Sequence, residues 1–396
     1  MIHMYKKILT GIIGAAFTAL VAVSCVVPYE PKELNQKTGI LVVEGHISVT
    51  GPFTIKISRT TNIASNNNVQ DSIHFERYAR VYVKDSHGNT YMSKSGAATG
   101  AYYFDFSDQM PDKKAQYQLI IESLDGHTYA SDFREATYSS NMDLHYKIDT
   151  LQNKVIIYVD TYDFTGESTH YNWNFIETWD YVSQIKSFAY LDGYQVKETE
   201  KYIPWMHRCW NSRESSEILL IETSALKEDR IKDLVIQTIA YRDIRITQHY
   251  SIEVIQTVLD KDAFQYMENM KRNSNDIGGL FSPQPHEISG NIRCVTDSSL
   301  RAVGFISVCN SVSKRLFIDC TGLPGYVREK MPEDTVISLA ATPYRILRVL
   351  QMGYLPYLVD NQTESSYWNL SRCIDCRSKG GKPEVPSFWP AEWPTY

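Results

Sequence analysis

From Ile40 to Tyr138 the chain is a succession of short segments in which apolar and polar residues alternate, separated by turn residues. ILVVEGHIS and FTIKISRT flank Gly51-Pro52. RVYVKD runs through Ser86-His87-Gly88-Asn89 into TYMSKS, and AYYFDF precedes YQLIIESLDGHTYASDF. Period two sends successive side chains to opposite faces, so such segments bury their apolar face only by pairing and stacking on a second sheet. Asp125-Gly126 is a strong hairpin signal. The pattern predicts an antiparallel sandwich of immunoglobulin or transthyretin kind over 40–140.

A second β-rich domain is expected over 141–320. KVIIYVDTYD, SEILLIETSAL and DLVIQTIAYRDIRITQHYSIEVIQTVL keep strand character, and HYNWNFIETWDYVSQIKSFAY is a long aromatic strand or pair. In DKDAFQYMENMKRNSND the period changes. Phe264, Met267 and Met270 fall at helical spacing, which predicts one helix near 260–275 with Asp260 as its N-cap and Gly278-Gly279 as its end. HEISGNIRCV and RAVGFISVCNSVSKRLFI are expected to close the domain as a hairpin around Asp297-Ser298-Ser299. Beyond 320, Pro, Gly, Cys and aromatic residues dominate, and 321–396 is expected to pack on the second domain as a loop-rich tail. The fold class is therefore mainly β.

The N-terminus sets the compartment. Lys6 and Lys7 precede an apolar run from Ile8 to Val23, shorter than the roughly 20 residues of a spanning helix. A positive start, a short apolar core and small residues before a cut describe a secretory signal peptide over 1–24. Ala22-Val23-Ser24-Cys25 resembles a lipobox, so Cys25 is the expected lipidation site and 25–39 a Pro-rich tether. The alternative is a plain cleaved signal with Cys25 incidental. Losing Lys6 and Lys7 takes the formal charge from −6 to −8, and no basic block follows, which argues against nucleic acid as a partner. Membrane attachment would rest on the lipid anchor.

Outside the cytoplasm, six cysteines remain as disulfide candidates: Cys209, Cys294, Cys309, Cys320, Cys373 and Cys376. Their connectivity stays open, since six cysteines allow 15 pairings. A zinc site would want a second close Cys or His pair, and none is present. CIDCRSKGG continues into Pro383 and Pro386, unlike a thiol redox pair that opens a helix, so Cys373 and Cys376 are expected to be staples reaching back to distant cysteines.

LVVEGHIS, NWNFIETWDY, RCWNS, GGLFSPQPHEISGNI and CIDCRSKGGKPEVPSFWP together resemble the bacterial domain-of-unknown-function family 4249. The resemblance implies a Bacteroidota outer-membrane lipoprotein, in the periplasmic or the surface-facing leaflet. It also implies a partner, a TonB-dependent outer-membrane receptor, but no biochemical activity.

Chemistry is sparse. The chain lacks G-x-S-x-G, H-E-x-x-H and G-x-x-x-x-G-K-[ST], and His286-Glu287 has no second His. Asp160, Asp163 and Glu167 around Gly166 hint at a calcium loop, but they lack the ligand alternation such sites use, so Asx-turns at a strand end are the preferred reading. No cofactor, metal or catalytic residue is expected. Asp71-Ser72-Ile73, Asp149-Thr150-Leu151 and Asp334-Thr335-Val336 match a short glycosylation pattern. Tyr outnumbers Phe by 27 to 14, and Tyr suits contact surfaces. Tyr171, Trp173, Glu177 and Trp179 lie on one predicted strand and form the candidate partner or ligand contact; the competing reading is a core strand with one polar partner. The expected function is a non-enzymatic accessory or ligand-binding lipoprotein. A structural or adhesive surface protein is the alternative, and an unrecognised hydrolase the third.

Overall fold

The computed structural model describes residues 39–60, 74–106, 111–139, 141–163, 168–275, 290–323, 337–340 and 342–393. The leader, Cys25, the tether, Gly166, Glu167, Gly278-Gly279, His286-Glu287 and the glycosylation-like triplets at 71–73 and 334–336 lie outside the described residues. The chain is mainly β, with several antiparallel sheets.

In the first unit, alternation produces two sheets over one core. Leu41–Glu44 pairs antiparallel with Phe53–Arg59, which also carries His74–Phe75 and Ala101–Phe104. The facing sheet runs Thr128–Ser131, Gln116–Glu122, Arg80–Asp85, Thr90–Met92. Ile55 and Ile57 meet Val81, Val83, Tyr117 and Leu119 in the core. Both predicted turns form. In the first, the buried Asp85 carboxylate accepts from the His87 and Asn89 backbone (3.0 and 2.8 Å), from Asn89 Nδ2 (2.7 Å) and from Tyr91 Oη (3.1 Å). In the second, Gly126 takes a φ of 87°, which glycine adopts without strain.

The segment around 290–310 corrects the expected hairpin. Ile292–Cys294 pairs with Thr128–Ser131 in one sheet of the first unit, and Ala302–Val303 runs parallel to Leu41 and Val42 in the other. Ile292, Cys294, Ile306 and Val308 are buried in that first core. The first sandwich thus carries unpaired edges until a segment far along the chain fills them.

The second unit also stacks two sheets. Its central strand His170–Val182 lies between His249–Val258 on one side and Arg208–Glu214 with Leu219–Glu222 on the other; Val312–Asp319 follows His249–Val258. Met142–Asp149, Lys154–Tyr162 and Arg230–Ala240 form the facing sheet. The helix Lys261–Asn275 starts where predicted, with Asp260 Oδ1 accepting from Ala263 N at 2.9 Å. Asp149 makes the hairpin turn with Leu151 and Gln152.

The tail is more ordered than loops alone. Ile337–Ala340, Ser365–Leu370 and Tyr354–Asp360 form a sheet, with the helix Pro343–Gln351 beside it. Its small cores are completed by an insertion of the second unit. Leu191 and Val196 of the hairpin Ala189–Asp192/Gln195–Glu198 pack on Ile346, Val349 and Trp368, while Ile203 and Met206 pack on Ile374.

One disulfide, Cys209–Cys376, ties this tail to the central sheet. Cys294, Cys309, Cys320 and Cys373 are buried free thiols, which corrects the expectation that all six cysteines, Cys373 included, act as staples. Cys294 packs in the core of the first sandwich and Cys320 in that of the second. Burial pushes Cys309 and Cys320 up to about 12, away from the reactive thiolate.

Candidate functional site

The structure moves the four sequence-chosen contact residues inside. Tyr171, Trp173 and Glu177 are fully buried and Trp179 is 7% exposed. Sheet neighbours on both edges and packing against the core leave these four side chains almost no surface, although Asn174 on the same strand is exposed. Tyr171 and Trp173 stack at 5.5 Å, and Trp173 Nε1 donates to Gln256 Oε1 at 3.0 Å. The competing core reading is the correct one.

Glu177 anchors a buried charge network. Its Oε2 accepts from Arg213 Nη2 at 2.7 Å, and its Oε1 from Arg245 Nη1 and Tyr250 Oη, both at 2.7 Å. Arg245 also forks onto Asp243. Burial opposes the charge on Arg245, yet the Asp243 hydrogen bond and the Glu177 charge raise its pKa. Burial, then Glu177, pushes the Tyr250 phenol far up. Three residues along the strand, Asp180 accepts from His249 N at 2.8 Å and lies 3.2 Å from His249 Nδ1 and Arg208 Nη1, with Trp393 stacked on the His249 ring. These polar groups are spent on one another, as buried charges must be.

Two further sets bring titratable or hydroxyl groups together. Ser183 Oγ lies 2.9 Å from His207 Nδ1, but it gives its proton to Ile185 O at 2.8 Å and is buried. On the outer face of the second sandwich, His145, Asp160 and Asp233 bring donor atoms within 4.8 Å of one another. Both ring nitrogens of His145 already face carboxylates, Asp233 at 3.0 Å and Asp160 at 3.9 Å. Asp163 accepts from Ser168 N at 3.0 Å.

An opening lies where the two sandwiches meet. A cavity of about 630 Å³ is lined by Thr137, Ser139, Asp163, His170, Asp260 and Lys261, among others. Its walls are fixed from both units. Thr137 Oγ1 donates to Val258 O at 2.5 Å, and Thr137–Tyr138 pairs parallel with Cys309–Asn310. His170 Nδ1 is 2.9 Å from Thr169 Oγ1, and Arg134 holds Asp260 at 3.2 Å. Hydroxyls, carboxylates and the exposed Lys261 equip it to hold a small polar molecule. Sequence reasoning missed it because its lining comes from three stretches, each reading as a strand end.

Two sandwiches with a cavity at their junction define a mainly β protein whose fold points to no known catalytic family. The chain belongs to the family described as domain of unknown function (DUF4249), whose model matches residues 26–315. The match ends short of CIDCRSKGGKPEVPSFWP. No curated protein matches the chain. Among solved structures it is similar to a two-domain fibronectin type-III segment from chicken tenascin, with 9% identity over 56% of this chain and 91% of that one. The TM-score is 0.17, so this likeness carries no argument.

Proposed function

We propose that the protein is an exported, lipid-anchored accessory protein of the Bacteroidota outer membrane that works by binding, without chemistry of its own, beside a TonB-dependent receptor. The junction cavity carries this reading. Its volume of about 630 Å³ falls in the range of small-ligand sites, roughly 300–1,000 Å³, and such sites favour domain interfaces. The lipobox-like Ala22-Val23-Ser24-Cys25 and a disulfide suited to an oxidising compartment support the address. No helix among the described residues is long and apolar enough to cross a membrane. A lipid anchor would raise the local concentration of a membrane partner and let a modest interface suffice.

The test is purification of the tagged protein from outer membranes. A receptor barrel should co-purify in fixed proportion, and Cys25→Ala should leave the membrane fraction or stay unprocessed. Elution without any barrel, or a Cys25→Ala protein that matures and partitions as wild type does, defeats the reading.

A further inference from the structure

The tail builds a second opening, distant in sequence from the junction cavity. Between the hairpin Ala189–Asp192 and the strand Tyr354–Asp360 lies a cleft of about 290 Å³, lined by Tyr190, Trp205, Met206, Leu355, Pro356 and Arg377. Trp205 is 52% exposed and Tyr190 41% exposed, although both belong to ordered elements. We propose that this cleft is a docking site for an acidic protein segment that inserts one large apolar side chain beside Trp205.

Composition points to a protein contact. Trp, Tyr and Arg are the residues that dominate interface energetics, and here they share one concavity.

Charge selects the partner. The segment 371–382, which supplies one wall through Asp375 and Arg377, carries Arg372, Arg377, Lys379 and Lys382 against the single acid Asp375; all four cations are exposed, and Arg377 is the one that lines the cleft. The whole chain has a formal charge of −6, so this basic stretch runs against the prevailing sign and would steer an acidic segment to the cleft. Asp375 holds Arg377 through Nε at 2.9 Å and Nη2 at 2.7 Å, and Nη1 has no partner among the described residues. The guanidinium is therefore positioned but not exhausted.

The wall is also rigid before any partner arrives. The disulfide fixes Cys376, which sits between Asp375 and Arg377 in sequence. Tyr181 Oη donates to Cys376 O at 2.9 Å, and Ile185 N to Cys373 O at 2.9 Å. Lys382 and Trp210 exchange backbone hydrogen bonds, both 2.8 Å. Gly381 passes so close that a Cβ would lie 2.3 Å from Tyr181 Oη and 2.9 Å from Cys209 Cβ. A preformed site loses less entropy on binding. The Cys376 staple thus has a consequence beyond stability, since it sets the Asp375–Arg377 pair against the aromatic wall.

A random peptide library displayed on phage, selected on the full chain and counter-selected on Trp205→Ala, tests this. Enriched peptides should share a Trp, Phe or Leu with Asp or Glu nearby. Their synthetic forms should bind Trp205→Ala and Arg377→Glu about tenfold or more weakly, and lose affinity with salt. Both side chains are substantially exposed, so unchanged melting temperatures will show that the variants fold. Failure to enrich such peptides, or equal binding by both variants, overturns the proposal. So does binding confined to vesicles of phosphatidylglycerol and phosphatidylethanolamine. The inference does not use the receptor reading: peptide binding without a co-purifying barrel defeats only that one, and the reverse result only this one.

Discussion

A carboxylate without exposed surface persists only when its oxygens are hydrogen-bonded, and Glu177 meets that condition through Arg213, Arg245 and Tyr250. Glu177→Ala leaves Arg245 without its buried partner and should destabilise the protein by about 3–5 kcal/mol, measured by urea unfolding. A loss below about 1 kcal/mol, the range of exposed pairs, would show that the network sustains nothing. Trp173→Ala should cost a similar 3–5 kcal/mol through the cavity it leaves, while correctly folded material keeps its partner binding. Asp85 gives the pH prediction. Burial works to raise its pKa, but hydrogen bonds from Asn89, Tyr91 and His87 outweigh burial and lower it. A depressed folded value means that the stabilisation is present above the unfolded carboxylate pKa and is lost as pH falls through the folded one. Asp85→Asn should therefore flatten the loss of stability below about pH 4, followed by urea midpoints across the acid range. An unchanged acid limb would remove Asp85 from it.

At the scale of elements, the disulfide is the decisive link. It joins residues 167 apart, and breaking it should cost about 2–5 kcal/mol, concentrated in the C-terminal sheet and the hairpin packed on it. Hydrogen exchange on Cys376→Ser should show faster exchange there and little change in the first sandwich. Peptide mapping without reduction should find Cys209 joined to Cys376, with Cys294, Cys309, Cys320 and Cys373 alkylated only after unfolding. Any other pairing would contradict the geometry. Hairpins such as 84–90 and 122–128 were legible because Asp, Asn and Gly dictate their backbone. The tail sheet was not. Its strand Tyr354–Asp360 carries Pro356 and a register shift beside it, and such interruptions read as loop.

The whole molecule is held by long-range stitching. Asn310 Oδ1 accepts from Val49 N at 3.0 Å and Thr50 Oγ1 at 2.8 Å, and its Nδ2 donates to Thr137 O at 3.3 Å. Asn291 clasps Ile306 through its backbone N and O, both at 2.8 Å. A fragment of 39–140 therefore lacks one edge strand of each of its two sheets. It should show no cooperative melt, whereas the same fragment with 290–310 attached by a flexible linker should regain one. Cooperative melting of the short fragment would mean that the first unit is complete without the returning segment.

Alternation, turn residues and an N-cap act within a few residues, so the amino-acid sequence by itself determined the mainly β class, the hairpins of the first sandwich and the helix that starts after Asp260. The aromatic strand His170–Val182 was equally legible as a strand. Its central place in the sheet, and hence the burial of Trp173 and Glu177, was not. Which cysteine Cys376 meets, where 290–310 inserts, and how Trp205 comes to stand beside Arg377 were decided by tertiary structure alone. Each depends on surfaces that must be buried or paired across long stretches of chain, and a local pattern records that an edge or a face needs a partner without recording which one.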